Sequence, residues 1–127
     1  MSKKILIVDD EPDLVAYLQS LLKDNGYDTV TAEDGKEGME KARSEKPDLI
    51  TLDISMPEES GVKMYRELQD DPATANIPIV IVTGLSSDFK RFLEHLERKK
   101  QISPPAAYFE KPIDKEEMLS KFREILG

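Results

Sequence analysis

The chain has no cysteine among its 127 residues and a single histidine, His95. Without cysteine there is no disulfide framework and no thiolate metal centre, and one histidine cannot build a multi-histidine zinc site. Long hydrophobic runs are also missing. The N-terminal run Ile5-Leu6-Ile7-Val8 stops at Asp9-Asp10-Glu11, too short for a signal-peptide core or a membrane span, so the expected location is cytoplasmic. Neither a phosphate-cradling P-loop nor a dinucleotide glycine fingerprint occurs, which argues against nucleotide binding. Positive charge is in deficit, with 26 acidic against 18 basic residues and a net charge of −8. That balance works against direct nucleic-acid binding, because phosphate contacts need a positive surface.

What the chain does have is alternation. Ile5 to Val8 is a continuous branched run, as in a strand covered on both faces. Behind it, Leu14, Tyr17, Leu18, Leu21 and Leu22 recur at helical spacing over residues 12–25, with Pro12 in the first turn and Asn25-Gly26 as the stop. Tyr27 to Ala32 alternates as an edge strand would. Asp34 and Glu37 then resemble a capping box for a helix reaching about Ser44, with Met39 and Ala42 facing inward. Leu49–Asp53 and Ile79–Val82 are further strands, separated by a helix from Ser60 to Gln69 that carries Val62, Met64, Tyr65 and Leu68. Phe89, Phe92, Leu93 and Leu96 mark a helix over 88–100, Ala106–Phe109 a short fifth strand, and Asp114 with Glu117 the start of a last helix lined by Met118, Phe122 and Ile125. Strictly alternating βα units predict one α/β domain over 1–127, doubly wound around a five-stranded parallel sheet, with no effector domain.

The strand ends carry the chemistry. The first strand ends in Asp9-Asp10, the third in Asp53, the fourth in Thr83, and Lys111 follows the fifth. In an open parallel sheet all strand C-termini share one edge, and ligands bind in the crevice there. Three carboxylates, a hydroxyl and an ammonium are thus expected in one pocket. Any one of them alone reads more readily as a turn or cap residue; Asp10 could simply cap the first helix. The conjunction is what carries weight. Crowded carboxylates raise each other's pKa unless a cation neutralises them, and Mg²⁺ suits a few carboxylates plus phosphate oxygens. A carboxylate can also attack phosphorus, with Lys111 and Mg²⁺ stabilising the transferred group and the Thr83 hydroxyl donating to it.

Taken together, Asp9-Asp10, the run Asp53-Ile54-Ser55-Met56-Pro57 with Gly61 beyond it, Thr83-Gly84 and Tyr108-Phe109-Glu110-Lys111-Pro112 resemble the receiver domain of bacterial response regulators, of the chemotaxis-type single-domain kind. The resemblance covers nearly the whole chain. It implies a flavodoxin-like (βα)5 fold with strand order 2-1-3-4-5. It implies Asp53 as phosphoacceptor, with Lys111 and Thr83 assisting. Asp10, Asp53 and the Ser55 backbone carbonyl would bind Mg²⁺ directly, and Asp9 through a water. Thr83 and Tyr108 fall on the switch positions. The implied partners are a histidine kinase or phosphotransfer protein upstream, and a downstream protein target or second copy on the surface of the fourth helix, fifth strand and fifth helix. No membrane contact and no catalysis on other substrates are implied.

Some features depart from that pattern or add to it. The 27 residues between Thr83 and Lys111 are several more than the family usually has, with the excess around 97–105. That reads as a tolerated loop insertion, or else as an altered contact surface. The basic cluster Lys90, Arg91, Arg98, Lys99 and Lys100 reads as a solvated helix face, with an acidic partner as the alternative. His95 reads as solvent-facing. Leu85 brings no polar group to orient water, so slow self-dephosphorylation is expected. An aspartate-nucleophile phosphohydrolase would place a second Asp two residues after the nucleophile, where Ser55 stands. A never-phosphorylated pseudo-receiver would lack one of the key groups, and none is missing.

Overall fold

The computed structural model describes residues 2–56, 60–84, 90–94 and 104–127. His95, Leu85, Phe89, Leu96, the basic residues Arg98, Lys99 and Lys100, and all but 104–105 of the lengthened segment lie outside the described residues. Strands β1 (Lys4–Val8), β2 (Asp28–Ala32), β3 (Leu49–Asp53), β4 (Ile79–Thr83) and β5 (Ala107–Glu110) form one sheet, every pair parallel, in the order β2-β1-β3-β4-β5. Helices α1 (Pro12–Asp24), α2 (Gly35–Glu45), α3 (Ser60–Asp70), α4 (described over 90–94) and α5 (Lys115–Leu126) connect and follow them. The strand order reverses between β1 and β3, which opens a crevice at their C-terminal ends.

Two apolar layers sandwich the sheet. One joins Leu6, Val8, Ile50, Leu52 and Ile81 of the strands to Met39, Met64, Tyr65, Leu68 and Phe92 of α2, α3 and α4, with the Tyr65 and Phe92 rings packed edge to face at 4.9 Å. The other joins Ile5, Ile7, Leu49, Val80 and Val82 to Leu18 and Leu22 of α1 and Met118, Leu119 and Phe122 of α5. All five residues of both β3 and β4 are buried, Thr51 and Asp53 of β3 included, as strands covered on both faces should be. β2 is an edge strand, as its alternation predicted.

The helix starts follow local chemistry. Asp34 accepts the Glu37 N–H at 2.8 Å, and Asp114 accepts those of Glu116 and Glu117 at 3.1 Å, so both aspartates cap as expected. Asp10 does not cap α1; the N-cap is Glu11, whose side chain makes no capping bond. Tyr27 precedes β2 rather than opening it.

Glycines set how closely the α2–α3 side approaches the sheet. A Cβ at Gly61 would overlap the Asp53 carbonyl oxygen and sit 2.8 Å from the Ile54 Cα. A Cβ at Gly38 would sit 2.6 Å from Met64 Sδ. Gly35 donates its N–H to Ser60 Oγ at 2.6 Å, clasping the first turns of α2 and α3 together.

Candidate functional site

Strand register brings the predicted groups to one edge. Val8 pairs with Leu52, Asp53 with Val82, and Thr83 with Glu110, so Asp9, Asp53, Thr83 and Lys111 end neighbouring strands at one level. The Lys111 N–H donates to the Thr83 carbonyl at 2.8 Å, which fixes the base of the lysine against β4. Asp9, Asp53 and Thr83 are buried, while Asp10 is exposed at the mouth.

Carboxylate oxygens of Asp9, Asp10 and Asp53 all lie within 4.8 Å of one another. Lys111 Nζ is 3.2 Å from Asp9 Oδ2, 3.5 Å from Asp53 Oδ2 and 2.6 Å from Glu11 Oε1. Three carboxylates therefore face one ammonium, with the Asp10 carboxylate beside two of them. Burial pushes the Asp9 carboxyl up to about 6; the Glu11 backbone N–H opposes that, the Asp53 charge adds to it, and Lys111 relieves it in part. The Lys111 ammonium is held above its ordinary range even though burial disfavours its charge, because Glu11, Asp53 and Asp9 together outweigh burial.

Both strand-end aspartates are aimed by the same local turn. Asp9 Oδ1 accepts the N–H of Glu11 at 2.9 Å, and Asp53 Oδ1 that of Ser55 at 2.8 Å, each two residues on. Ser55 Oγ adds a second bond to Asp53 Oδ1 at 2.6 Å. One Asp53 oxygen is thereby anchored by Ser55, and the other, Oδ2, faces Lys111 in the crevice.

The donor set fits a hard divalent cation. It consists of oxygens only, carries surplus negative charge, and includes the buried Asp9 carboxyl, whose pKa is raised chiefly by burial and further by the Asp53 charge.

Thr83 and Tyr108 share a sheet face. Ile81 is the register partner of Tyr108, both belong to the α2–α3 layer, and the two-residue period puts Thr83 on the side of Ile81. Tyr108 is half-buried, and burial with the nearby Glu110 charge pushes its hydroxyl pKa up. Sequence reasoning missed two contributions: the Ser55 hydroxyl and N–H as the anchor of Asp53, and Glu11 as the nearest partner of Lys111. The first was legible as an Asx turn. The second joins residues 100 apart and had no local signal.

Comparison with known proteins agrees with the fold. The family model described as "Response regulator receiver domain" matches residues 5–123. The chain is 33% identical over 124 residues to Protein PilH of Pseudomonas aeruginosa, covering 98% of each chain. It is 42% identical over 93 residues to the alkaline phosphatase synthesis transcriptional regulatory protein PhoP of Bacillus subtilis, where the match takes in 73% of this chain and 38% of that protein. Among solved structures, the signal receiver domain of a signal transduction histidine kinase from Syntrophus aciditrophicus superimposes with a TM-score of 0.84 at 30% identity, covering 98% of this chain and 90% of that one.

Proposed function

The chain belongs to the response regulator receiver domain family of two-component systems, and from that premise we propose that it is a phosphorylation switch whose acceptor is Asp53. The meeting of buried Asp53 with Asp9, Asp10 and Lys111 at one sheet edge is the observation that carries this reading. A histidine kinase or phosphotransfer protein is the donor. Asp53 Oδ2, the oxygen Ser55 leaves unanchored, forms the new O–P bond while the donor's P–N bond breaks with its electron pair on nitrogen.

Each neighbour has a task. Lys111 offers its ammonium to the phosphoryl oxygens, and the Thr83 hydroxyl donates to them once they arrive. Asp10, Asp53 and the Ser55 carbonyl would hold Mg²⁺, with Asp9 acting through a bound water. Bound Mg²⁺ supplies neutralisation of the charge that transfer brings into an already anionic crevice. Movement of Thr83 toward the phosphoryl group, with Tyr108 turning in behind it along their common face, biases the surface of α4, β5 and α5 between two arrangements. A downstream protein or a second copy then reads the favoured one. Catalysis is confined to the chain's own phosphorylation and dephosphorylation.

The test is intact mass after incubation with Mg²⁺ and phosphoramidate, alongside Asp53→Asn. One phosphoryl adduct on the wild type, absent from the variant, is expected. No adduct on the wild type, or turnover of small phosphate esters, would overturn the reading.

A further inference from the structure

Glu11 stands where a helix usually places Ser, Thr, Asp or Asn, since the N-cap side chain normally satisfies a first-turn N–H. It makes no such bond. Its backbone is nonetheless fixed on both sides: the N–H donates to Asp9 Oδ1 at 2.9 Å and the carbonyl accepts the Val15 N–H at 3.0 Å. A side chain unused by its own helix is thus aimed across the crevice mouth at Lys111. The contact, 2.6 Å, is the shortest Lys111 Nζ makes with any of its three carboxylates, and Asp53 Oδ2, at 3.5 Å, is the farthest.

We propose that Glu11 is a positioning residue that holds the Lys111 ammonium toward the crevice mouth in the resting chain, and that phosphorylation of Asp53 proceeds only as Lys111 is released from it. The inference rests on Asp53 being the phosphoacceptor. An ammonium has three donors, and in the resting chain three carboxylates face them. An incoming phosphoryl group needs one, and Glu11 is the partner it displaces, because Glu11 is largely in solvent (59% exposed side chain) and regains hydration when released, whereas Asp9 and Asp53 are buried. Glu11 thereby sets the threshold for acceptance.

The experiment follows adduct formation over time by intact mass, with Mg²⁺ and two donors of different charge, phosphoramidate and acetyl phosphate. An Asp53 oxygen bonds phosphorus in both cases. The P–N bond of phosphoramidate breaks to release ammonia, and the P–O bond of acetyl phosphate breaks to release acetate. Glu11→Gln removes the charge. Glu11→Asp keeps the charge but is one methylene too short to reach Lys111. Asp13→Asn removes a charge from an exposed site in the same first turn. The expected result is that both Glu11 variants accept the phosphoryl group about two- to fivefold faster than wild type from both donors, the size expected for one ion pair with a solvent-exposed partner, while Asp13→Asn does not. Equal urea midpoints for the four proteins establish that each is folded. If Glu11→Asp behaves as wild type while Glu11→Gln and Asp13→Asn are both faster, overall charge is responsible and the proposal is wrong. Unchanged rates in both Glu11 variants also overturn it. A wild type that takes no adduct removes the phosphoacceptor reading itself, and the proposal with it.

Discussion

At the N-terminal edge of the sheet, Lys4 places its ammonium 3.1 Å from Glu45 while its backbone N–H donates to Asp48 at 2.8 Å, all of it toward solvent. At the C-terminal edge, Lys111 faces Asp9, Glu11 and Asp53, two of them buried. Both edges use one lysine among carboxylates. The first carries one surplus negative charge, in solvent, and ties the ends of β1, α2 and β3 together. The second is left with more negative charge than it can neutralise, in a place where burial makes that charge costly. A surplus kept where the fold would be more stable without it points to a ligand that brings the missing positive charge.

The largest expected effect comes from removing the ammonium at the charged end. Lys111→Met should slow phosphoryl acceptance by about 10²-fold, the loss typical of one donor to developing negative charge; rates near wild type would mean that Lys111 serves structure only. Next is Gly61→Ala. Its methyl has no room beside the Asp53 carbonyl, so urea unfolding should show a loss of about 2–3 kcal/mol, typical of overpacking.

Asp9→Asn should work in the opposite direction. The Asp9 carboxyl is raised from 3.8 to about 6, so the native state binds its proton more tightly than the unfolded chain does. Its contribution to stability is present below about pH 4 and is lost as pH rises through 6. Without divalent cations, Asp9→Asn should therefore be more stable than wild type at pH 7.5 by about 2 kcal/mol, at ~1.4 kcal/mol per pKa unit less the bonds the amide forfeits. The advantage should shrink toward pH 4. A variant less stable than wild type at pH 7.5 would break the contrast between the two edges. The smallest effect is at the exposed end, where Lys4→Met should change stability by less than about 1 kcal/mol and leave phosphoryl acceptance unchanged.

Much of this was legible in the chain. β3 and β4 read as buried strands because covered strands cannot tolerate polar alternation, and strict alternation with helices then required a parallel sheet with one chemically active edge. Asp34 and Asp114 were recognised because capping is local. Asp10 taken alone suited a cap as well as a pocket, but the conjunction of strand ends put it in the pocket, and its carboxylate does lie with those of Asp9 and Asp53. The Glu11–Lys111 pair depends on where the first and last βα junctions meet, which no window of sequence contains. Ser55 was read for its carbonyl, while its hydroxyl and N–H turned out to set which Asp53 oxygen is available.

The order of the strands also has a meaning in time. Asp9, Asp53 and Thr83 leave the ribosome well before Lys111, and β5, at the sheet's edge, is the last strand made. In the complete fold the Lys111 N–H is tied to the Thr83 carbonyl, so the ammonium joins the carboxylates only with this last strand. On the proposed phosphoacceptor reading, a nascent or truncated domain would have Asp53 but not Lys111 beside it, so acceptance would become efficient only when nearly the whole domain has been synthesised.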